Sequence, residues 1–255
     1  MSHSIRAVVL MFLGAALLLA GRVAAAGAND DDAPAKEIHV AGVTGGHGFV
    51  ERDFLKLFQG YEDITYKHVP EKVGGELFED ITDWPYDVIV LYNFNRKITP
   101  RQQKNFLELL DKGVGLVVLH HAIVGYDAWP LFRDIIGAKY YLNPCQENGV
   151  QMPRSGWKEG LKFKVHVADP NHPITRGLKD YALHDETYCH FTLAPGVHAL
   201  LTTDAPTSDK TIAWTKTYGK ARVFYTQSGH DHTAYDNPNY RKIVVRAIRW
   251  TAGKP

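Results

Sequence analysis

VGLVVLHHA, residues 114–122, is the stretch that decides the fold. An apolar run reaches Leu119, and two adjacent histidines, His120 and His121, follow it directly. A short segment that is apolar on both faces is typical of a strand in a parallel sheet covered by helices on both sides. The end of such a strand lies at the edge where open α/β sheets bind ligands. The stretch therefore predicts a buried central strand and a ligand site at its carboxyl end.

Strand-like and helix-like segments alternate around this stretch, which predicts an α/β fold with a doubly wound, mostly parallel sheet. The segment 99–113 is typical of a helix, because Thr99 suits the N-cap, Pro100 the first position and Gly113 the stop. Beyond residue 160 the pattern predicts extra β elements, then a closing helix over 237–253 with Asn237 as its cap. The other predicted strands are 36–45, 63–70, 86–94, one at the start of 161–178, 196–203 and a pair joined at Tyr218-Gly219-Lys220. The other predicted helices are 50–61 and 127–137.

The amino terminus has the pattern of a secretory signal peptide. A basic residue precedes an apolar segment over residues 7–20, and small residues offer cleavage sites after Ala26 or Ala28. We therefore expect a signal peptide over 1–26, a flexible lead over 27–37, one domain over 38–254, and a secreted or periplasmic product. Arg22 interrupts the apolar run too early for a membrane span, so we expect no stable membrane anchor, although an uncleaved signal anchor remains the alternative. Export would allow Cys145 and Cys189 to pair, and the sequence leaves that pairing open.

Charge and motifs exclude some classes of partner. The formal net charge is +1, which gives no electrostatic reason to expect nucleic acid. The loop TGGHGF, residues 44–49, lacks the Lys-Ser/Thr of a P-loop and is not G-x-G-x-x-G, so we expect no nucleotide cofactor.

Polar side chains instead collect where the predicted strands end, and in this topology those ends meet along one rim. Because consecutive strand residues point to opposite faces, one of His120 and His121 is expected to enter the crevice. A sharp turn there favours His121, with His120 as its neighbour. His121, Glu186 and His230 are the predicted ligands of one divalent transition metal, zinc or similar. The same groups can instead serve as general acid and base without a metal.

Several segments, taken in order, resemble the ThuA-like (trehalose utilisation) family. The resemblance runs from about Ile38 to Thr251 and implies a flavodoxin-like sheet, similar in fold to class I glutamine amidotransferases. It does not imply amidotransferase chemistry, because that needs a thiolate nucleophile at the sharp turn, where this chain has His120, His121 and Ala122. The segments are GVGLVVLHHAIVGYDAWPLFRDIIGAKY (113–140), DPNHPITRGL (169–178), DETY (185–188), IAWTKTYGKARVFYTQSGHD (212–231) and NPNYRKIVVRAIRW (237–250).

The resemblance implies a role in carbohydrate metabolism, and two hypotheses follow. In the first, an exported enzyme acts on a glycoside or keto-glycoside by hydrolysis or elimination, with Glu186 as acid or base. In the second, the chain is a non-catalytic carbohydrate-binding or accessory module. In both the partner is a small carbohydrate, and the oligomeric state is left open. The predicted catalytic residues are His121, Glu186, His230 and Asp231, and the predicted substrate-binding residues are His47, Tyr92, Asn93, His120, Trp129, Tyr188 and Tyr235.

Overall fold

The computed structural model describes residue 1 and residues 37–254, so the predicted signal peptide and nearly all of the predicted lead lie outside the description. The strands are β1 Ile38–Gly45, β2 Ile64–Pro70, β3 Val88–Asn93, β4 Gly115–Leu119, β5 Ala138–Lys139, β6 Cys145–Glu147, β7 Val150–Met152, β8 Gly156–Val167, β9 Tyr181–Cys189, β10 Thr192–Leu193, β11 His198–Thr203, β12 Thr211–Tyr218 and β13 Ala221–Thr226. The helices are α1 Glu51–Leu55, α2 Pro100–Lys112, α3 Phe132–Ile136, α4 His232–Tyr235 and α5 Pro238–Thr251.

The main sheet has nine strands in the order β2-β1-β3-β4-β13-β12-β11-β8-β9. The first four and β13 pair in parallel, and the remaining strands pair antiparallel. The predicted α/β class, with a mostly parallel flavodoxin-like part and extra β elements in the second half, is confirmed. Because β1 lies between β2 and β3, the strand order reverses there, and the carboxyl ends of these strands open onto a crevice.

The helices begin and end where their caps require. The side chain of Thr99 accepts from the backbone of Gln102 in a capping box at the start of α2, and Gly113 ends the helix with φ +93°. Asn237 caps α5 in the same way. The helix predicted over 50–61 is shorter, because α1 passes into a 3-10 turn over Lys56–Phe58. Within the described part of the chain, no helix combines the length and apolar character needed to cross a membrane.

Each face of the parallel strands is covered by its own apolar layer. Side chains of α5, such as Ile243 and Ile248, pack with one face of the sheet. Side chains of α2 and α3, such as Phe106 and Ile135, pack with the other. This arrangement explains why β4 (Gly115–Leu119) is apolar on both faces, as the sequence predicted.

The strands β8 and β9 extend past the sheet as a two-stranded arm. β8 pairs with β11 only through Val165–Val167, but it pairs with β9 back to Gly156. We call residues 156–164 with 182–189 the arm. The arm folds over the rim, where Thr187 donates to the carbonyl of Thr207 and Asp209 donates its backbone N–H to the carbonyl of Tyr188. An edge strand thereby reaches the carboxyl ends of the central strands.

Candidate functional site

The chain turns sharply after β4. His120 has φ +54°, a left-handed conformation that is strained for a residue with a β-carbon, and it opens a 3-10 turn over His120–Val124. Its carbonyl accepts a hydrogen bond from the hydroxyl of Tyr225 at 3.2 Å. Because the strand has ended, side-chain alternation no longer applies, and both His120 and His121 line the same cavity. The expectation that only one of them enters the crevice is wrong for this reason.

The cavity has a volume of about 310 Å³. It lies at the carboxyl ends of β1, β3, β4 and β13, and the arm forms one wall. Half of the lining residues are aromatic or aliphatic, and the other half are histidines or charged residues, so the cavity joins apolar walls to a cluster of polar groups. The lining residues are His47, Phe94, His120, His121, Ile123, Val124, Tyr140, Leu142, Arg154, Trp157, Glu159, Glu186, Tyr188 and His230.

Three side chains meet in the cavity, and we call His120, Glu186 and His230 the centre. The Nε2 atom of His120 lies 3.3 Å from Nδ1 of His230 and 3.9 Å from Oε1 of Glu186. Oε2 of Glu186 lies 3.1 Å from Nδ1 of His230. One ligand atom from each of the three lies within 4.8 Å of the others, so these residues can hold a metal ion.

The predicted ligand set contained His121 in place of His120, and the structure corrects it. The Nδ1 atom of His121 faces the carbonyl oxygen of Asn93 at 3.3 Å, and its buried Nε2 atom has no hydrogen-bond partner among the described residues. Its ring packs beside those of Tyr92 and His47, at centroid distances of 4.4 and 4.6 Å. His121 and His47 therefore line the cavity next to the centre, but His121 does not belong to the cluster of ligand atoms.

Asp185 and Glu186 point to opposite sides of β9. Oxygens of the buried Asp185 accept the backbone N–H groups of Gly229 and His230 at 2.7 and 3.0 Å, which fixes the loop that carries His230. Glu186 and Tyr188 share the other side, and the Tyr188 hydroxyl lies 3.0 Å from Nε2 of His120. One residue therefore anchors the arm while its neighbour enters the cavity.

Burial sets the charge of the groups in the cavity. It lowers the pKa of His120 to about 3 and that of His121 well below its usual value, so both imidazoles are neutral near pH 7. Burial also raises the pKa of Glu186 to about 7, with the hydroxyl of Tyr188 acting in the opposite direction. The pKa of Asp185 is raised to about 7, again chiefly by burial.

The predicted sugar-binding aromatics divide between cavity and core. Tyr188 lines the cavity. Tyr92 and Tyr235 are only 1% exposed, and their hydroxyls bond to each other at 2.7 Å. Trp129 is buried against Phe106 on the other face of the sheet. Tyr92, Tyr235 and Trp129 do not line the cavity, so their assignment to substrate binding is corrected to structural packing.

Two predicted polar residues also act on structure rather than in the cavity. The side chain of Asn93 is fully buried and donates to Glu71 at 2.8 Å, while its carbonyl faces His121. The carboxylate of Asp231 caps α4 by accepting from the backbone and hydroxyl of Thr233. The assignments of Asn93 to substrate binding and of Asp231 to catalysis are therefore not supported by their positions.

The arm contributes cavity residues that the sequence analysis missed. A β-bulge lies between Lys158 and Leu161, where Gly160 has φ +69°. Beside it, Oε2 of Glu159 lies 3.4 Å from Nε2 of His230, and Trp157 lines the cavity with 55% of its surface exposed. A bulge of this kind leaves little signal in a sequence, apart from a glycine in a strand. The other lining residues that were not predicted are Phe94, Ile123, Val124, Tyr140, Leu142 and Arg154.

The two cysteines carry free thiols. Cys145 lies in β6 and Cys189 at the end of β9, and neither is among the residues that line the cavity. The residue with the strained backbone at the turn after β4 is His120, so neither cysteine occupies that position.

The family model for ThuA, described as trehalose utilisation, matches residues 75–251. The chain belongs to the ThuA family. ThuA proteins are class I glutamine amidotransferase-like in fold, and membership indicates a carbohydrate-related role. No curated protein matches this ThuA-family chain.

Solved structures of similar fold agree with this assignment. A ThuA-like protein from Parabacteroides merdae ATCC 43184 superimposes with TM-score 0.72 at 20% identity, covering 86% of this chain and 91% of that one. A ThuA-like protein from Bacteroides uniformis ATCC 8492 gives 0.63 at 20% identity, covering 88% and 95%. PurLQS from Thermotoga maritima gives 0.55 at 11% identity, covering 84% and 99%. At these identities the likeness establishes the ThuA fold and nothing about substrate.

Proposed function

We propose that this chain is an exported enzyme of carbohydrate metabolism that acts on a glycoside or keto-glycoside by elimination or hydrolysis. The observation that carries the proposal is the centre itself: a buried carboxylate and two imidazoles meet in a cavity of about 310 Å³. Membership of the ThuA family supports the substrate class. The amino-terminal sequence pattern supports export.

The polar groups suit a keto-glycoside. A proton on the carbon between the carbonyl and the anomeric carbon is acidic, so its removal needs one base and a donor to the carbonyl oxygen. Glu186 is the proposed base and the hydroxyl of Tyr188 the proposed donor. As Glu186 takes the proton, the C–H electron pair forms a C=C bond and the glycosidic C–O bond breaks. The leaving oxygen recovers a proton and departs as an alcohol.

Hydrolysis of a glycoside usually needs two carboxyl groups, and two line the cavity, Glu159 and Glu186. Asp185 lies on the opposite side of β9 from Glu186 and is held by backbone N–H groups, so it cannot form a glycosidase pair with it. Glu159 is the second carboxylate among the lining residues. If water rather than elimination cleaves the bond, Glu186 and Glu159 are the proposed acid–base pair.

The walls of the cavity suit the faces of a sugar ring. Phe94, Tyr140 and Trp157 present aromatic surface to the interior, and the exposed ring of Trp157 lies where the arm borders solvent. Aromatic side chains provide large apolar contact areas at low entropic cost. The proposed bound orientation places the reacting carbons over the centre and the leaving group towards Trp157.

The test is turnover of nitrophenyl 3-keto-glucosides, followed by nitrophenol release and by the absorbance of the unsaturated ketone. We expect Glu186→Gln to lower kcat/KM by about 100-fold or more, as is usual when a general base is removed. Glu108→Gln is the matched control, because Glu108 lies on α2 in an exposed pair with Lys112. Nitrophenol with the unsaturated ketone indicates elimination, and nitrophenol with intact keto-sugar indicates hydrolysis.

Two outcomes would refute the proposal. Equal turnover by the wild type and Glu186→Gln would remove Glu186 from the reaction. Saturable binding of keto-glycosides without any turnover would make the chain a binding module.

A further inference from the structure

The hydrogen positions on His120 follow from its partners. Nδ1 lies 2.7 Å from the carbonyl oxygen of Gln227, and a carbonyl can only accept, so Nδ1 carries the hydrogen. A neutral imidazole has a single N–H group. Nε2 of His120 therefore presents a lone pair, and it faces Nδ1 of His230 at 3.3 Å.

His230 is oriented in the complementary way. Its Nε2 lies 3.4 Å from a carboxylate oxygen of Glu159, which also only accepts. With the hydrogen on Nε2, the Nδ1 atom of His230 presents a lone pair towards His120 and towards Oε2 of Glu186, 3.1 Å away. Three acceptors, two imidazole nitrogens and one carboxylate oxygen, converge on one point. The hydroxyl of Tyr188, 3.0 Å from Nε2 of His120, can donate to one of these lone pairs. The others repel each other at this separation unless a proton or a metal cation lies between them.

We infer that a divalent transition metal binds at the centre, held by Nε2 of His120, Nδ1 of His230 and the carboxylate of Glu186. Two imidazoles and one carboxylate are a common set for catalytic zinc, which leaves a further position open to water or substrate. All three ligand side chains line the cavity, so a metal held by them would be accessible to substrate. The same donor set also accepts cobalt, nickel and manganese.

The surroundings of the centre have the features of a metal site. Metal-bound histidines almost always donate their other ring N–H to a carbonyl or carboxylate, which fixes the ring and its tautomer. His120 has the carbonyl of Gln227 in that position, and His230 has Glu159. The carboxylate of Asp185 accepts a hydrogen bond from the backbone N–H of His230 and so fixes the position of that residue. A single proton shared between the imidazoles is the competing occupant, and the experiment distinguishes the two.

This inference deepens the proposed function and rests on it only for its catalytic consequence. A metal at the centre would take Glu186 as a ligand, and it would then supply the proton acceptor or nucleophile through bound water, the role that Glu186 has in the metal-free reaction proposed above. Zinc lowers the pKa of bound water to about 7, which supplies hydroxide under mild conditions. The metal can also polarise the substrate carbonyl.

The test measures metal binding without substrate. The full chain is purified without chelators, stripped, and titrated with Zn²⁺ and with Co²⁺, the latter for its visible absorption. We expect the wild type to bind one equivalent of metal per chain. We expect His120→Ala and His230→Ala each to raise the Kd for metal at least 100-fold. His121→Ala is the matched control and should retain one equivalent, because its ring is adjacent but outside the cluster. Glu159→Gln, which alters only the partner of His230, should weaken Kd by about 10-fold.

Unfolding curves of each variant confirm that it is folded. No stoichiometric binding by the folded wild type, or equal affinity in His120→Ala and His230→Ala, would overturn the metal site. Turnover of keto-glycosides that survives full metal removal would also overturn the catalytic metal while leaving the proposed function intact. A tight metal site with no turnover of any keto-glycoside would establish the metal and refute the proposed function.

Discussion

Replacing Asp185 tests how the arm and the centre are joined. Its carboxylate accepts two backbone N–H groups, at 2.7 Å from Gly229 and 3.0 Å from His230, and it is only 3% exposed. Asp185→Ala leaves both donors without a partner. A buried donor that loses its acceptor costs about 1–3 kcal/mol. The two together would cost up to about 6 kcal/mol at the top of that range.

Two effects place the expected loss of stability of Asp185→Ala in the lower half of that range, which extends up to about 6 kcal/mol. The N–H of His230 is only partly buried and can recover a bond to water. Burial also raises the pKa of Asp185 to about 7, so removing this carboxylate removes a charge that is costly to bury. We expect Asp185→Ala to lower the free energy of unfolding by about 2–3 kcal/mol. Asp185→Asn keeps one acceptor oxygen, and we expect about half that loss.

Urea unfolding at pH 7 measures the change in the free energy of unfolding. Zn²⁺ titration measures the affinity of the centre, which falls if His230 is displaced. Because the loop at Gly229 and His230 loses its anchor, we expect Asp185→Ala to weaken Zn²⁺ binding by about 10-fold, as is typical when a group that orients a ligand is lost. A variant within about 0.5 kcal/mol of wild type, with unchanged Zn²⁺ affinity, would refute this reasoning, since surface substitutions have effects of that size.

Substitutions at three further positions test other parts of the structure, with the free energy of unfolding measured by denaturant. Glu71→Ala removes the acceptor of three buried donors and should cost about 3 kcal/mol, against less than half for Glu71→Gln; equal losses would contradict this. Gly42→Ala places a β-carbon 1.7 Å from the Tyr66 hydroxyl and should cost about 1–3 kcal/mol, whereas an unchanged midpoint would show that the ring can move. Asp63, whose pKa is lowered by its two bonds from Arg249, stabilises the fold above its unfolded pKa of about 3.9, and this contribution is lost as the pH falls through the lowered value. Asp63→Asn should therefore cost less than about 1 kcal/mol at pH 7 and reduce the wild type's loss of stability between pH 5 and pH 2, and an unchanged acid profile would exclude that role.

Local signals explain which elements could be predicted. The capping residues Thr99 and Asn237 and the stop at Gly113 act through their own backbone neighbours, so α2 and α5 are evident from sequence. The apolar run before His120 predicted a central strand, and the rule for strand ends predicted that His47, His120, His121 and His230 lie along one rim. These predictions depend on pattern and topology alone.

The arm could not be predicted in this way. In β9 the buried residues include Asp185, Glu186 and Thr187, whose partners come from distant parts of the chain. Polar residues at buried positions hide the alternation that identifies a strand. The sequence also does not show which aromatic rings face a cavity and which pack in the core. Tyr92, Tyr235 and Trp129 were therefore assigned to sugar binding, although they pack in the core.

The arm also makes occupancy of the centre a matter of thermodynamic linkage. A two-stranded ribbon is marginally stable by itself, and of the strands in the described part of the chain only β9 pairs with residues 156–164. The ordered conformation of the arm therefore depends on its contacts with the rim. Asp185 contacts the backbone of Gly229 and His230, and Glu186 contacts the ring of His230. Whatever binds to Glu186 and His230 must therefore slow hydrogen exchange of the arm's backbone amides. By reciprocity, whatever holds the arm down raises affinity at the centre by the same factor.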